Sequence, residues 1–212
     1  MPRVADNVYQ IKSKFVSMFV YDTGEFLICF DTGFDEHTVR SGFDQLGFDI
    51  ENVRYVFLTH TDRDHVGGLQ LFKRAELYLS IDEEQMVTQK TPRFLGITFN
   101  PPIKREYTLL KDGDTVQAGA THIKALSTPG HTPGSMSYVV NDSILFVGDT
   151  LTLRNGRVRP FSKLRIRDAT HMDKATQVQS IRKLAHVPNI SLMLTAHSGF
   201  TTEFNYAMAE WL

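Results

Sequence analysis

Four side chains of the kind that bind metals fall within the stretch LTHTDRDHVGG, residues 58 to 68: His60, Asp62, Asp64 and His65. Three later segments each end an apolar run at a glycine-containing corner with one more. LSTPGHTPGS presents His131, SILFVGDT presents Asp149, and LMLTAHSG presents His197. A lone His or Asp at a turn is ordinarily structural, and Asp64 stands where it would cap a helix beginning at Val66. Four corners that together supply four histidines and three carboxylates are better explained by a cation. Neutral imidazole and carboxylate suit Zn²⁺, Mn²⁺ and iron, and a carboxylate can bridge two ions through its two oxygens. No thiolate takes part, so the expectation is a catalytic site rather than a structural one. It would hold one or two divalent ions, zinc first, with iron or manganese as alternatives.

These corners need strands to aim them. The first third reads as strands, NVYQIKSKFVSMFVYDT and EFLICFDTG, broken by the turn residues Asp22, Thr23 and Gly24. Val39, Phe43 and Leu46 recur at helical spacing before Gly47, and the apolar strand YVFLTH follows. The pattern predicts a short helix from Val66 to Arg74, a strand at AELYLS, a short helix at DEEQMVTQK and a loop from Thr91 to Pro102. Beyond the loop, EYTLLKDGDTVQAGATHIKALSTPG, SMSYVV and SILFVGD read as successive strands. MDKATQVQSIRKLA then reads as a helix, ISLMLTAH as a buried strand and EFNYAMAEWL as a terminal helix. No repeat or linker interrupts residues 1–212, which read as a single domain.

The chain has 212 residues, 42% of them apolar, enough for a sizeable core. With 23 basic and 24 acidic residues, its global charge points to neither a nucleic acid nor an anionic membrane as partner. The N-terminal residues lack the apolar core and cleavage site of a secretory signal, and no run of about 18 apolar residues occurs, so the expectation is a soluble cytoplasmic protein. The single cysteine, Cys29, sits in the apolar run EFLICF and excludes a disulfide framework.

The set THTDRDHVGG, TPGHTPGS, VGDT and TAHSG, in that order and preceded by DTG at 31 to 33, resembles the metallo-β-lactamase superfamily of metal-dependent hydrolases. The resemblance spans nearly the whole chain. It implies an αββα sandwich (α+β class): two mixed sheets face to face, helices outside, metals at one edge. By the same resemblance, His60 and His131 would hold a first metal, Asp64, His65 and His197 a second, and Asp149 would bridge them. The nucleophile would be a metal-bound hydroxide that Asp64 helps to orient, which agrees with the absence of a G-x-S-x-G or Cys/His signature.

One position departs from the family's H-x-H-x-D-H pattern: Asp62 replaces the second histidine. His60 and Asp62 are two apart in an extended segment and point to the same side, although aspartate is the shorter side chain. The replacement makes the site less positive, which acidifies bound water less and favours harder ions such as iron or manganese beside zinc. The flavodiiron proteins also resemble this chain in placing a carboxylate there, but this chain has no room for a flavodoxin domain.

Six residues between 154 and 167 are basic: Arg154, Arg157, Arg159, Lys163, Arg165 and Arg167. They read either as a solvated loop or as a clamp for an anionic group, with Arg154, Arg157 and Arg159 as the substrate contacts. Arg63 is a weaker candidate for the same role. His37, His122 and His186 read as surface or core residues, and His171 has only its position beside the basic segment to recommend it.

The expected function is hydrolysis of an ester, thioester, lactone or phosphoester of a small, anionic substrate. Action on β-lactams is not expected, because no export signal is seen. The extra carboxylate keeps two alternatives open: an iron-dependent redox enzyme of dioxygenase type, and a metal-binding protein with weak or no turnover.

Overall fold

The computed structural model describes residues 3–91, 100–160 and 173–212. Seven strands form one sheet, side by side in chain order: β1 (Arg3–Ala5), β2 (Val8–Ser13), β3 (Val16–Asp22), β4 (Leu27–Phe30), β5 (Val53–Phe57), β6 (Glu76–Ser80) and β7 (Thr108–Leu110). β1 to β4 run antiparallel, and β4 to β7 run parallel. The change of sense follows from the connections, because a parallel neighbour requires a crossover. The crossover from β4 to β5 carries helix α1 (Glu36–Leu46), which starts where the Asp35 side chain accepts from Thr38 N–H and stops at left-handed Gly47.

The second sheet has the order β15 (Gly199–Thr201), β14 (Leu192–Thr195), β11 (Ile144–Phe146), β10 (Met136–Val140), β9 (Thr121–Ser127) and β8 (Thr115–Ala118). Only β11 and β14 pair parallel, across the crossover that contains α4 (Lys174–Ala185). A separate hairpin joins β12 (Leu151–Arg154) to β13 (Arg157–Pro160), and α5 (Phe204–Met208) lies against β13.

Alternation along the strands divides the apolar residues into three layers. Phe19, Phe30, Phe57 and Tyr78 of the first sheet meet Tyr138, Phe146 and Leu194 of the second in the central layer, where the rings of Phe30 and Phe146 stack at 3.8 Å. Met18, Val20, Cys29 and Val56 face the other way, onto Val39 and Phe43 of α1. On the far side Val139, Leu145 and Met193 face Ile181 and Leu184 of α4 and Phe204 of α5. The result is the αββα sandwich, with Cys29 buried in a strand as the sequence indicates. Among the described residues, no helix is long and apolar enough to cross a membrane.

Two predicted elements differ from those observed. The helix expected from Val66 to Arg74 is instead a short turn of helix, α2 (Arg63–Val66), followed by a tight turn at Leu69–Leu71. Gly67 and Gly68 end it because the chain there lies against the DTG corner. Their N–H groups donate to Gly33 O and Thr32 O, and a Cβ on Gly67 would fall 1.8 Å from Phe34 O. The segment DEEQMVTQK yields only the short helix α3 (Glu84–Val87), after a tight turn at Ile81–Glu83.

Candidate metal centre

The strand ends of β4, β5, β9, β11 and β14 feed Asp31, His60, His131, Asp149 and His197 to one edge of the sandwich. Two backbone hydrogen bonds of 2.8 Å stitch the sheets together there, from Ser17 N–H to Ala196 O and from Met136 N–H to Thr59 O. At the VGD corner, Gly148 has a positive φ of 53°, and a Cβ on it would lie 2.4 Å from Thr59 Oγ1. Only glycine lets the Asp149 corner approach the His60 corner this closely.

All seven residues singled out by the sequence come together. His60, Asp62 and His131 form one group whose ligand-type atoms lie within 4.8 Å of one another, Asp64, His65 and His197 form another, and Asp149 groups with His60 and His65 between them. Asp62 Oδ2 lies 3.1 Å from His131 Nε2 and 3.6 Å from His60 Nε2. His197 Nε2 lies 3.5 Å from Asp64 Oδ2, and His65 Nε2 lies 3.9 Å from the same oxygen. Asp149 divides its carboxylate. Oδ2 faces His131 Nε2 at 3.3 Å and His60 Nε2 at 4.0 Å, whereas Oδ1 faces His197 Nε2 at 3.1 Å and His65 Nε2 at 3.4 Å.

These separations suit a shared cation. Ligand atoms about 2.0–2.1 Å from a tetrahedral ion stand about 3.3–3.4 Å from one another. Moreover, His60 Nε2 and His65 Nε2 are buried and make no hydrogen bond, an arrangement that is costly unless something else occupies the lone pair. The residues present therefore fit divalent metal ions.

The distal ring nitrogens explain how the histidines are aimed. His65 Nδ1 lies 2.8 Å from Asp31 Oδ2, and His197 Nδ1 donates to Phe15 O at 2.9 Å. Thr59 Oγ1 donates to Asp31 at 2.9 Å and lies 3.1 Å from His60 Nδ1, so Asp31 steadies two histidines, one directly and one through a hydroxyl. With Nδ1 held in this way, each Nε2 is left to face the cluster.

The electrostatics agree. Burial would raise the Asp149 carboxyl, but the imidazoles of His65 and His197 beside it outweigh burial and hold it well below the usual range. For Asp62, burial is likewise outweighed by the hydrogen bond with His131 and by the nearby His60. Burial lowers His131 to about 3, keeping it neutral, despite the opposing charge of Asp149. At His65 burial lowers the value, yet the charges of Asp31 and Asp149 raise it well above the ordinary one.

Asp64 does not cap the helix. It lies inside α2, the cap position belongs to Asp62, and the Asp62 side chain makes no capping bond because it faces His131. Arg154, Arg157 and Arg159, the residues expected to meet an anionic substrate, lie on the β12–β13 hairpin. Asn155 and Gly156, both at positive φ, turn the chain back as a hairpin, a signal that the Asn-Gly pair carried in the sequence and the reading of a loop passed over. Arg157 donates to Tyr206 O and lies over the Tyr206 ring, and Arg159 pairs with Glu210 at 2.8 Å. Arg157 thus contacts α5 and Arg159 the turn after it, whereas Arg154 is exposed at the end of β12. Lys163, Arg165, Arg167 and His171 lie outside the described residues. His37 lies in α1, His122 pairs with Asp142 at 3.0 Å, and His186 caps α4, all away from the cluster.

The fold is that of a known family. Residues 13–197 match the family model of the metallo-beta-lactamase superfamily, and the chain belongs to that superfamily. A probable metallo-hydrolase of Burkholderia pseudomallei is 33% identical over 68% of this chain, which spans 52% of that protein's length. A hydroxyacylglutathione hydrolase of Brucella anthropi is 26% identical over 98% of this chain and 70% of its own. Among solved structures, a B3 metallo-beta-lactamase with an active-site glutamic acid superposes with a TM-score of 0.75 at 22% identity, over 99% of this chain and 85% of that one. A metallo-beta-lactamase family protein of Thermus thermophilus gives 0.75 at 19% identity, over 98% of this chain and 79% of that one.

Proposed function

We propose that this protein is a binuclear metal-dependent hydrolase acting on a thioester or related ester of a small acid. The observation that carries the proposal is the division of the Asp149 carboxylate between the two histidine groups. His60, Asp62 and His131 would hold one ion, Asp64, His65 and His197 the other, and Asp149 both. When bound, such ions activate water and polarise the scissile carbonyl. Asp64, with Oδ2 3.5 Å from His197 Nε2, would accept a proton and orient the attacking water. Asp31 and Phe15 O hold two of the imidazoles in the required orientation.

The relatives named hydroxyacylglutathione hydrolase support the thioester over the other esters. Phe15 supports a small substrate with an apolar part. It stands on the turn between β2 and β3, is 54% exposed, and stacks over His197 with ring centres 6.0 Å apart. Zinc is the first candidate metal, and the cytoplasm is the expected location.

Elemental analysis of protein purified without added metal or chelator, followed by a thioester assay, tests this reading. About two equivalents of zinc or manganese, with turnover that a chelator removes and metal restores, is the expected result. Iron as the bound metal, with redox turnover of a small thiol and no hydrolysis, would replace it by the dioxygenase reading that the carboxylate at position 62 favours.

A further inference from the structure

A carboxylate ligand poses a problem that a histidine does not, because its two oxygens must be told apart and its rotation stopped. Asn100 does both for Asp62. It is 2% exposed, and its Nδ2 donates to Asp62 Oδ1 at 3.2 Å, the oxygen other than the one that faces His60 and His131. The same Nδ2 donates to Thr61 Oγ1 at 2.9 Å. The Thr61 hydroxyl in turn donates a hydrogen bond to Glu83 Oε1 at 2.8 Å, and Thr61 N–H donates to that oxygen at the same distance. Glu83 is fully buried, and its second oxygen accepts from Thr132 Oγ1 at 2.7 Å.

Thr61 precedes Asp62 and Thr132 follows His131, so one buried carboxylate joins the two loops that supply the first group. All three of these contacts to Glu83 come from donors, so both oxygens act as acceptors, as those of an ionised carboxylate do. The series runs in one direction from Asn100 through Thr61 to Glu83, and such chains strengthen their members.

We propose that Asn100 is a positioning residue that makes Asp62 a metal ligand, with Glu83 anchoring it through Thr61. The proposal rests on the metal-site reading above. By occupying Oδ1, the amide leaves Oδ2 to face His60 and His131, and the ordering of a short, rotatable side chain is complete before the ion arrives. Asn100 is 38 residues from Asp62 in the chain, beyond any local pattern.

The test is a metal titration of the full chain stripped with chelator. Co²⁺ would be followed by its ligand-field absorption and Zn²⁺ by competition with a chromophoric chelator. In Asn100→Ala one equivalent should weaken about 10–100-fold, with an altered Co²⁺ spectrum, and the other should be unchanged. The melting temperature of the metal-free protein should stay within about 3 °C of wild type. In an Asp62→His background, Asn100→Ala should leave the affinity within about twofold, because an imidazole has no second oxygen for the amide to hold.

An equal loss in the Asp62→His background, equal weakening of both equivalents, or an unaltered titration in Asn100→Ala would overturn the proposal. The last result, with wild type binding two equivalents, leaves the metal reading standing. A wild type that takes up no metal overturns both. If Asn100→Ala does not fold, the isosteric Asn100→Asp removes the same donor and sets a like charge against Asp62. It should give the larger loss, and an unaltered titration in that variant overturns the proposal equally.

Discussion

The half of the cluster built from Asp64, His65 and His197 and the half built from His60, Asp62 and His131 are held in different ways. In the former, two imidazoles are each backed by an oxygen at Nδ1, Asp31 Oδ2 for His65 and Phe15 O for His197. In the latter, Asp62 is backed by a donor, the Asn100 amide, and the anchoring carboxylate, Glu83, acts two hydrogen bonds away. The difference follows from the groups themselves. A neutral imidazole has one N–H to give and is fixed by an acceptor, whereas a carboxylate has only lone pairs and can be fixed only by a donor. Replacing a histidine by Asp62 thus requires different support around it, and the Asn100 amide supplies it.

The comparison can be broken at its centre first. Asp149→Ala removes the group common to both halves, so metal content should fall in both equivalents and thioester turnover should drop by more than the roughly 100-fold that loss of an outer partner costs. Elemental analysis and a steady-state assay check this, and retention of one full-affinity equivalent would show the halves to be independent. Asp31→Ala comes next. It releases His65 directly and His60 through Thr59, and it leaves a buried histidine without its carboxylate. A destabilisation of about 3–5 kcal/mol by chemical denaturation is expected, with metal affinity down in both halves. Because Asn100→Ala should touch only one half, the pair of variants measures the asymmetry.

Smaller effects lie outside the cluster. Phe15→Ala should raise KM about tenfold for a substrate with an apolar part, the order expected from losing a half-exposed aromatic wall, with the metal titration unchanged. Arg159→Ala should be nearly silent. Its pair with Glu210 is exposed, so urea denaturation should show a change of about 1 kcal/mol or less, and KM for an anionic thioester should match wild type. A large rise in KM would return Arg159 to the substrate site.

The sequence by itself determined which side chains gather. His60, His131, Asp149 and His197 follow strand ends at corners, Asp62, Asp64 and His65 follow within one short turn, and that pairing of an apolar run with ligand-type residues is local and legible. The stop of α1 was likewise written in Gly47, and the structure adds Asp35 as its cap. Local pattern failed where a distant partner governed the outcome. The helix after His65 was cut short by the DTG corner pressing on Gly67, and Arg157 and Arg159 of the hairpin were taken up by α5 and the turn after it, some fifty residues further along. Whether Asp62 could reach its neighbours, and what would hold it there, was likewise decided by tertiary structure. The reason is physical: a side chain's type and its place on a strand are set by neighbours in the chain, but the orientation of a carboxylate is set by donors, and here the donor arrives from a different loop.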